Sequence, residues 1–214
     1  MREDCWYKDV CELECSNSCI RYLEMSYLIS NSGIPLALQT PPKLEASKVD
    51  YEAYLRLQEI KDNIEDFVKE GKNLLIVSST TGNGKTTWAI KLLLKYFDRI
   101  WAGNGFRKRG LFVHVPTLLA KIKNFEDTSL AEYKDLLVNC DLVVWDDIAS
   151  TGLSQYDYSQ LLVFIDQRVL SKKANIFTSN ATSEDDFVKA FGVKLTSRVV
   201  NTSEKIVFKG KDRR

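Results

Sequence analysis

The 214-residue sequence has no apolar run near the roughly 20 residues that a bilayer-crossing helix needs. Its opening stretch, MREDCWYKDVCELEC, is polar and acidic and does not read as a secretory signal, so a cytoplasmic location is expected. There is no internal repeat. Proline is scarce, and three of the four prolines fall in SGIPLALQTPPKLEASKVD, residues 32–50, which has no hydrophobic periodicity and reads as a linker. The one histidine, His114, lies in a strand-like stretch and reads as structural. No C-x₂-C pair occurs, although four of the five cysteines crowd into residues 5–19. Hydrophobic residues make up 44% and charged residues 28%, the proportions of an ordinary globular protein.

The net charge of +1 hides an uneven distribution. Lys91 to Lys123 carries eight Lys or Arg against Asp98, and Lys189 to Arg214 carries eight against Glu204 and Asp212. Clustered basic charge marks either a polyanion partner or a solvated basic face. Arg107, Lys108 and Arg109, beside Trp101 and Phe106, could follow phosphates and stack a base, or could form a charged surface loop.

From residue 51 onward the pattern alternates. YEAYLRLQEIKDNIEDFVKE has helical spacing and stops at Gly71. NLLIVSS, GLFVHVP, DLVVWDD, NIFTSN and KIVFKG read as strands, separated by amphipathic helices. Near-continuous apolar strands of this kind imply an α/β fold with a mainly parallel sheet flanked by helices. The expected organisation is a small cysteine-rich helical module at 1–31, a linker at 32–50 and an α/β domain at 51–214.

Residues 79–87, STTGNGKTT, place a near match to G-x-x-x-x-G-K-[ST] between a strand and a helix, the setting a phosphate-binding loop requires. Serine stands where the pattern begins with glycine. That position mainly turns the chain out of the strand, and a small side chain can do this. The candidate nucleotide contacts are Ser79, Thr80, Thr81, Gly82, Asn83, Gly84, Lys85, Thr86 and Thr87. Amides from Gly82 to Thr86 would wrap the phosphates of ATP or ADP, and Lys85 would reach the β- and γ-phosphates. The Thr86 hydroxyl would bind Mg²⁺. CDLVVWDDI is an apolar strand ending in two acids: Asp146 would complete the Mg²⁺ site and Asp147 would orient or deprotonate the attacking water. Their spacing of about 60 residues from Lys85 suits a neighbouring strand. Asn180, ending NIFTSN, would sit in the same crevice and polarise that water. In KLTSRVV, Arg198 lies among apolar neighbours, as at an interface.

The set GNGKT, VVWDDI, FIDQRVLSKKANIFTSN and LTSRVV, in this order, resembles AAA+ helicase loaders of the DnaC/DnaI type, and IstB-type transposition ATPases share much of it. The resemblance covers roughly residues 50–214. It implies a P-loop ATPase that places a DnaB-type replicative helicase on single-stranded DNA and self-associates through ATP, with slow hydrolysis. It also implies that Asn180 is the first sensor, that Arg198 is an arginine finger acting on a neighbouring subunit, and that Arg214 is a second sensor. The short tail leaves no room for a full helical lid. The compact form and cysteine-rich start look most like loaders encoded by phages or prophages. Two other readings stay open: a transposition ATPase acting on duplex DNA with a transposase, and a non-enzymatic regulator of host replication with a degraded site.

Cys11, Cys15 and Cys19 recur every fourth residue, so on a helix they would share a face. With Cys5 they could form a closed zinc site, or hold an iron–sulfur cluster, or simply pack a helix. Zinc is the expectation, since some loaders resembling this chain carry a zinc-binding N-terminal domain.

Overall fold

A computed structural model describes residues 3–12, 15–45, 47–124, 128–149 and 152–210. Its sheet contains β1 (Asn73–Val77), β2 (Gly110–His114), β3 (Leu142–Asp146), β4 (Ala174–Ser179) and β5 (Ser203–Val207) in the order β2-β3-β4-β1-β5. Every pairing is parallel. β1, β3 and β4 are buried along their whole length, which is why their sequences are continuously apolar. Alternate residues supply two cores. Leu74, Ile76, Val144 and Ile176 face one way, toward Ala89, Leu92, Leu93 and Phe97 of α4 (Lys85–Ile100). Leu75, Val77, Trp145 and Phe177 face the other, toward α7 (Gln155–Leu170) and α8 (Glu184–Val199).

Three expectations change. β3 is not beside β1; β4 lies between them. Strand order follows from how the crossover helices pack on each face, which hydrophobic patterning does not encode. The helix expected over residues 51–70 is two, α2 (Tyr51–Asp62) and α3 (Ile64–Lys69), broken at Asn63, whose side-chain amide donates to the Glu59 carbonyl at 2.9 Å. Such local side-chain bonding competes with helix continuation.

The N-terminal helix is also shorter than expected. α1 spans Ile20–Ser30, and Cys19 is its N-cap. Ser16, Asn17 and Ser18 form a turn closed by Cys19 N–H donating to the Ser16 carbonyl at 3.3 Å. Those residue types favour turns over helix interiors. Cys11, Cys15 and Cys19 therefore do not share a helical face. α1 packs Met25, Leu28 and Ile29 into the same core as α4. Tyr7 adds a hydroxyl bond to Asp98 at 2.8 Å, with the Arg21 guanidinium 3.2 Å above its ring.

The remaining described helices are α5 (Val115–Asn124), α6 (Thr128–Asn139) and a 3₁₀ turn at Leu36–Leu38. Behind β3 and β4, Arg168 of α7 is completely buried. It donates to the carbonyls of Leu137 (2.9 Å), Cys140 (2.8 Å) and Ala174 (2.6 Å) and to Asn175 Oδ1 (2.7 Å). The fork of donors closes the end of α6 and ties it to β4, satisfying carbonyls that would each cost about 1–3 kcal/mol if left unpaired.

Candidate nucleotide-binding and hydrolysis site

The loop after β1 is held open by its own side chains. Ser78 Oγ, Thr80 Oγ1 and Asn83 Nδ2 form a hydrogen-bonded triangle, with 3.1 Å from Ser78 to Thr80 and 3.1 Å from Asn83 to Thr80. Gly84, the residue before α4, has φ +96°, a left-handed conformation that a Cβ would strain. Ser79 is exposed and outside the left-handed region, so this loop does not need the glycine of the usual pattern there. Thr81 is likewise exposed, and Thr87 lies in the first turn of α4. Lys85 is buried, its ammonium donating to the Thr80 carbonyl at 3.0 Å and to Asn83 Oδ1 at 3.3 Å. A buried cation at the start of a 16-residue helix is suited to polyphosphate.

Thr86 Oγ1 donates to Asp146 Oδ1 at 2.7 Å, across the end of β4. Burial pushes the Asp146 carboxyl above its ordinary range, while hydrogen bonds from Thr86 and Thr178 pull it back. Beside it Asp147 has φ +58° and accepts from Asn180 Nδ2 at 3.4 Å. The structure thus brings Lys85, Thr86, Asp146, Asp147 and Asn180 to one end of the sheet. The hard oxygens of Thr86 and Asp146 fit Mg²⁺, which is commonly held by one or two carboxylates together with substrate phosphates.

Residues 43–213 match the family of IstB-like ATP binding proteins. The chain belongs to that family. No curated protein matches its sequence. Among solved structures it is similar to the DnaC helicase loader, at 20% identity and TM-score 0.66 over 78% of this chain and 94% of that one. It is similar to DnaI at 15% identity and TM-score 0.66, over 82% and 95%. A putative primosome component from Streptococcus pyogenes serotype M3 matches at 20% identity and TM-score 0.62, over 88% and 98%. These likenesses establish an AAA+ P-loop ATPase fold.

Within this IstB-like fold the other candidate residues lie apart from the loop. In α8 the helix breaks at Gly192 (φ +74°), and Arg198 follows on the second half. Its Nε pairs with Asp166 of α7 at 2.5 Å, and its carbonyl accepts from Thr202, which in turn accepts from Asn73 at the start of β1. Arg198 is therefore at the strand-starting end of the sheet, separated from the loop by β1, roughly 15 Å of extended chain. Arg214 lies outside the described residues. Gly210, the last residue described, accepts from Thr80 at 2.9 Å, so the chain leaves the sheet over the phosphate loop.

The basic loop at 101–109 sits at the strand-starting end as well. Arg109 is committed to Asp141, and the Phe106 amide donates to buried Glu24 at 3.2 Å. Arg107 and Lys108 are exposed.

The zinc expectation is not supported. Among the described residues no group of three or more His, Cys, Asp or Glu is placed to hold a metal ion. Cys5 and Cys11 instead pack partly buried against the core, and Cys15 is exposed. The turn at 16–18 removed the shared face on which the four-thiolate arrangement depended.

Two residues that sequence reasoning passed over belong to the site. Thr178 was legible only as part of the polar Thr-Ser-Asn ending of β4. Asp50 carried no signal; its Oδ1 accepts the amides of Lys209 (2.7 Å) and Gly210 (3.1 Å), fixing the strap that touches Thr80.

Thiol chemistry checks the cysteine assignment. Burial pushes the Cys140 thiol up to about 11, so its reactive thiolate is scarce at neutral pH. With an aromatic disulfide reagent the native protein should expose N-terminal thiols first, Cys15 among the fastest, and Cys140 only on unfolding. Protection of Cys5, Cys11, Cys15 and Cys19 that a chelator abolishes would restore the metal assignment.

Proposed function

We propose that this chain is an ATP-dependent loader that delivers a DnaB-type replicative helicase onto single-stranded DNA. The observation that carries this reading is the convergence of Lys85, Thr86, Asp146, Asp147 and Asn180 on one sheet end, in a chain whose shape is shared with DnaC and DnaI. In this proposal residues 1–31 dock the helicase, 32–50 connect, and 51–214 form the ATPase. The exposed cations Arg107 and Lys108 contribute to the DNA surface.

The chemistry follows from the side chains. Loop amides and Lys85 would bind the β- and γ-phosphates, and Thr86 and Asp146 would hold Mg²⁺, which would neutralise phosphate charge. Asp147 and Asn180 hold a water in line with the γ-phosphorus. A bond forms from the water oxygen to phosphorus as the bond to the β–γ bridging oxygen breaks. ADP keeps that electron pair, and Asp147 takes the proton from the water. Arg198 cannot reach the loop of its own chain, so in an ATP-dependent oligomer it would stabilise charge on the γ-phosphate of a neighbouring subunit. The family match also favours a second reading, a transposition ATPase acting on duplex DNA.

Lys85→Ala should abolish nucleotide binding, whereas Asp147→Asn should bind ATP normally and release no phosphate. Fluorescent-nucleotide titration and a phosphate-release assay read the two effects, and parent-level hydrolysis by Asp147→Asn would remove its assigned role.

Arginine fingers contribute up to about 10³–10⁵-fold in rate in the strongest cases. Arg198→Ala subunits mixed with Asp147→Asn subunits, each inactive alone, should recover ATPase activity. No recovery at any ratio argues against a shared site.

Closed circular single-stranded DNA tests the loading role, because a ring-shaped helicase cannot thread onto it. The protein with ATP and helicase should leave helicase stably on the circle. Preference for duplex DNA with no helicase transfer would instead support the transposition reading.

A further inference from the structure

The two acids at the end of β3 are aimed by one hydroxyl on the neighbouring strand. Thr178 is buried in β4. Its Oγ1 donates to Asp146 Oδ1 at 2.7 Å and accepts the Asp147 amide at 3.0 Å. Both halves of the hydroxyl are thus used, one on each acid. The Thr178 carbonyl accepts the Ile148 amide at 2.9 Å, and Ser179 Oγ donates to the Ile148 carbonyl at 2.6 Å. On its other side, the Ser179 carbonyl accepts the Ser78 amide at 3.2 Å. The end of β4 therefore staples the exit of β3 to the start of the phosphate loop.

The exit turn depends on such a staple. Asp147 (φ +58°) and Ala149 (φ +63°) both occupy the left-handed region, which Asp tolerates better than most residues and Ala adopts only when its surroundings hold it. The Asp147 carboxylate accepts from Asn180, while that of Asp146 accepts from Thr86. Without the hydroxyl, the Asp147 amide loses its acceptor and Asp146 loses one of its two donors.

We propose that Thr178 is a positioning residue for ATP hydrolysis, its hydroxyl setting Asp146 on Thr86 while locking the Asp147 backbone so that its carboxylate meets Asn180. This inference rests on the ATPase reading above. Thr178 acts through Asp146 and Asp147, to which both halves of its hydroxyl are committed.

Thr178→Val removes the hydroxyl with little change of shape, and Thr178→Ser keeps it. The valine variant should lose about 10- to 100-fold in kcat, the scale of a misplaced catalytic group, while the serine variant stays within about threefold of the parent. Nucleotide affinity measured without Mg²⁺ should be unchanged in both, because the loop amides and Lys85 are untouched. Amide hydrogen exchange supplies a readout independent of turnover: the Asp147 amide should be protected in the parent and in Thr178→Ser, and should exchange freely in Thr178→Val. Thr178→Ala takes the same measurements if the valine variant does not fold. Parent-level kcat in the hydroxyl-free variant, equal losses in valine and serine variants, or undiminished Asp147 protection would each overturn the inference. A parent that hydrolyses no ATP would sink the ATPase reading itself, while the exchange comparison would still decide whether Thr178 holds the turn.

Discussion

A carboxylate only 6% exposed, Asp146, ends β3, and the hydrogen bonds at this end of the sheet converge on it. Removing a charge from water is costly unless donors replace the lost solvation. Here two hydroxyls do so, Thr86 from the first turn of α4 and Thr178 from β4. Both can reach only because β4 runs between β3 and β1, putting the start of α4 and the end of β3 on either side of one strand end. Neutral donors soften the burial cost without cancelling it, so the carboxyl stays above its ordinary range. A buried carboxylate solvated by neutral hydroxyls is electrostatically unfinished in a way that a divalent cation would complete.

Asp141, at the other end of β3, shows the contrast. Burial works against its charge too, yet the hydrogen bonds and charge of Arg109, with Tyr96 and Lys173, hold its carboxyl below the ordinary range. Its demand for positive charge is already met inside the fold. Arg168 nearby is occupied with carbonyls in the same way, and Arg109 is tied down by Asp141. The strand-starting end thus uses strong polar groups to close the structure, while the strand-finishing end leaves its acids facing the loop. Arg198 belongs to the first end by position, but it is half-exposed and its ion pair with Asp166 is at the surface. Such a pair contributes little to stability and can be exchanged for another anion.

The N-terminal segment joins the fold through the outer side of α4. Asp98 receives Tyr7, Arg21 and Lys95, and Glu24 of α1 accepts the Phe106 amide. Tyr7 and α1 are thus held against the helix that begins with Lys85. The strap at Lys209 and Gly210, gripped by Asp50 and Thr80, adds a second connection between the chain outside the sheet and the loop.

Sequence alone determined the α/β class, the phosphate loop and the paired acids, because each is written in contiguous residues: an apolar run followed by a fixed local chemistry. It also singled out Asn180 and Arg198 as candidates through short motifs, although the side chains they meet, Asp147 and Asp166, lie 33 and 32 positions away. Tertiary structure decided the strand order, the helix break at Asn63, the late start of α1 and the dispersal of the cysteines. These depend on which surfaces pack together, and a helical period in cysteines cannot prevail over the turn formed by Ser16, Asn17 and Ser18. Only the fold could reveal Thr178, Asp50 and Arg168 as organising residues. The longest of their hydrogen bonds span 32, 160 and 31 positions respectively, and no local pattern records a partner that distant.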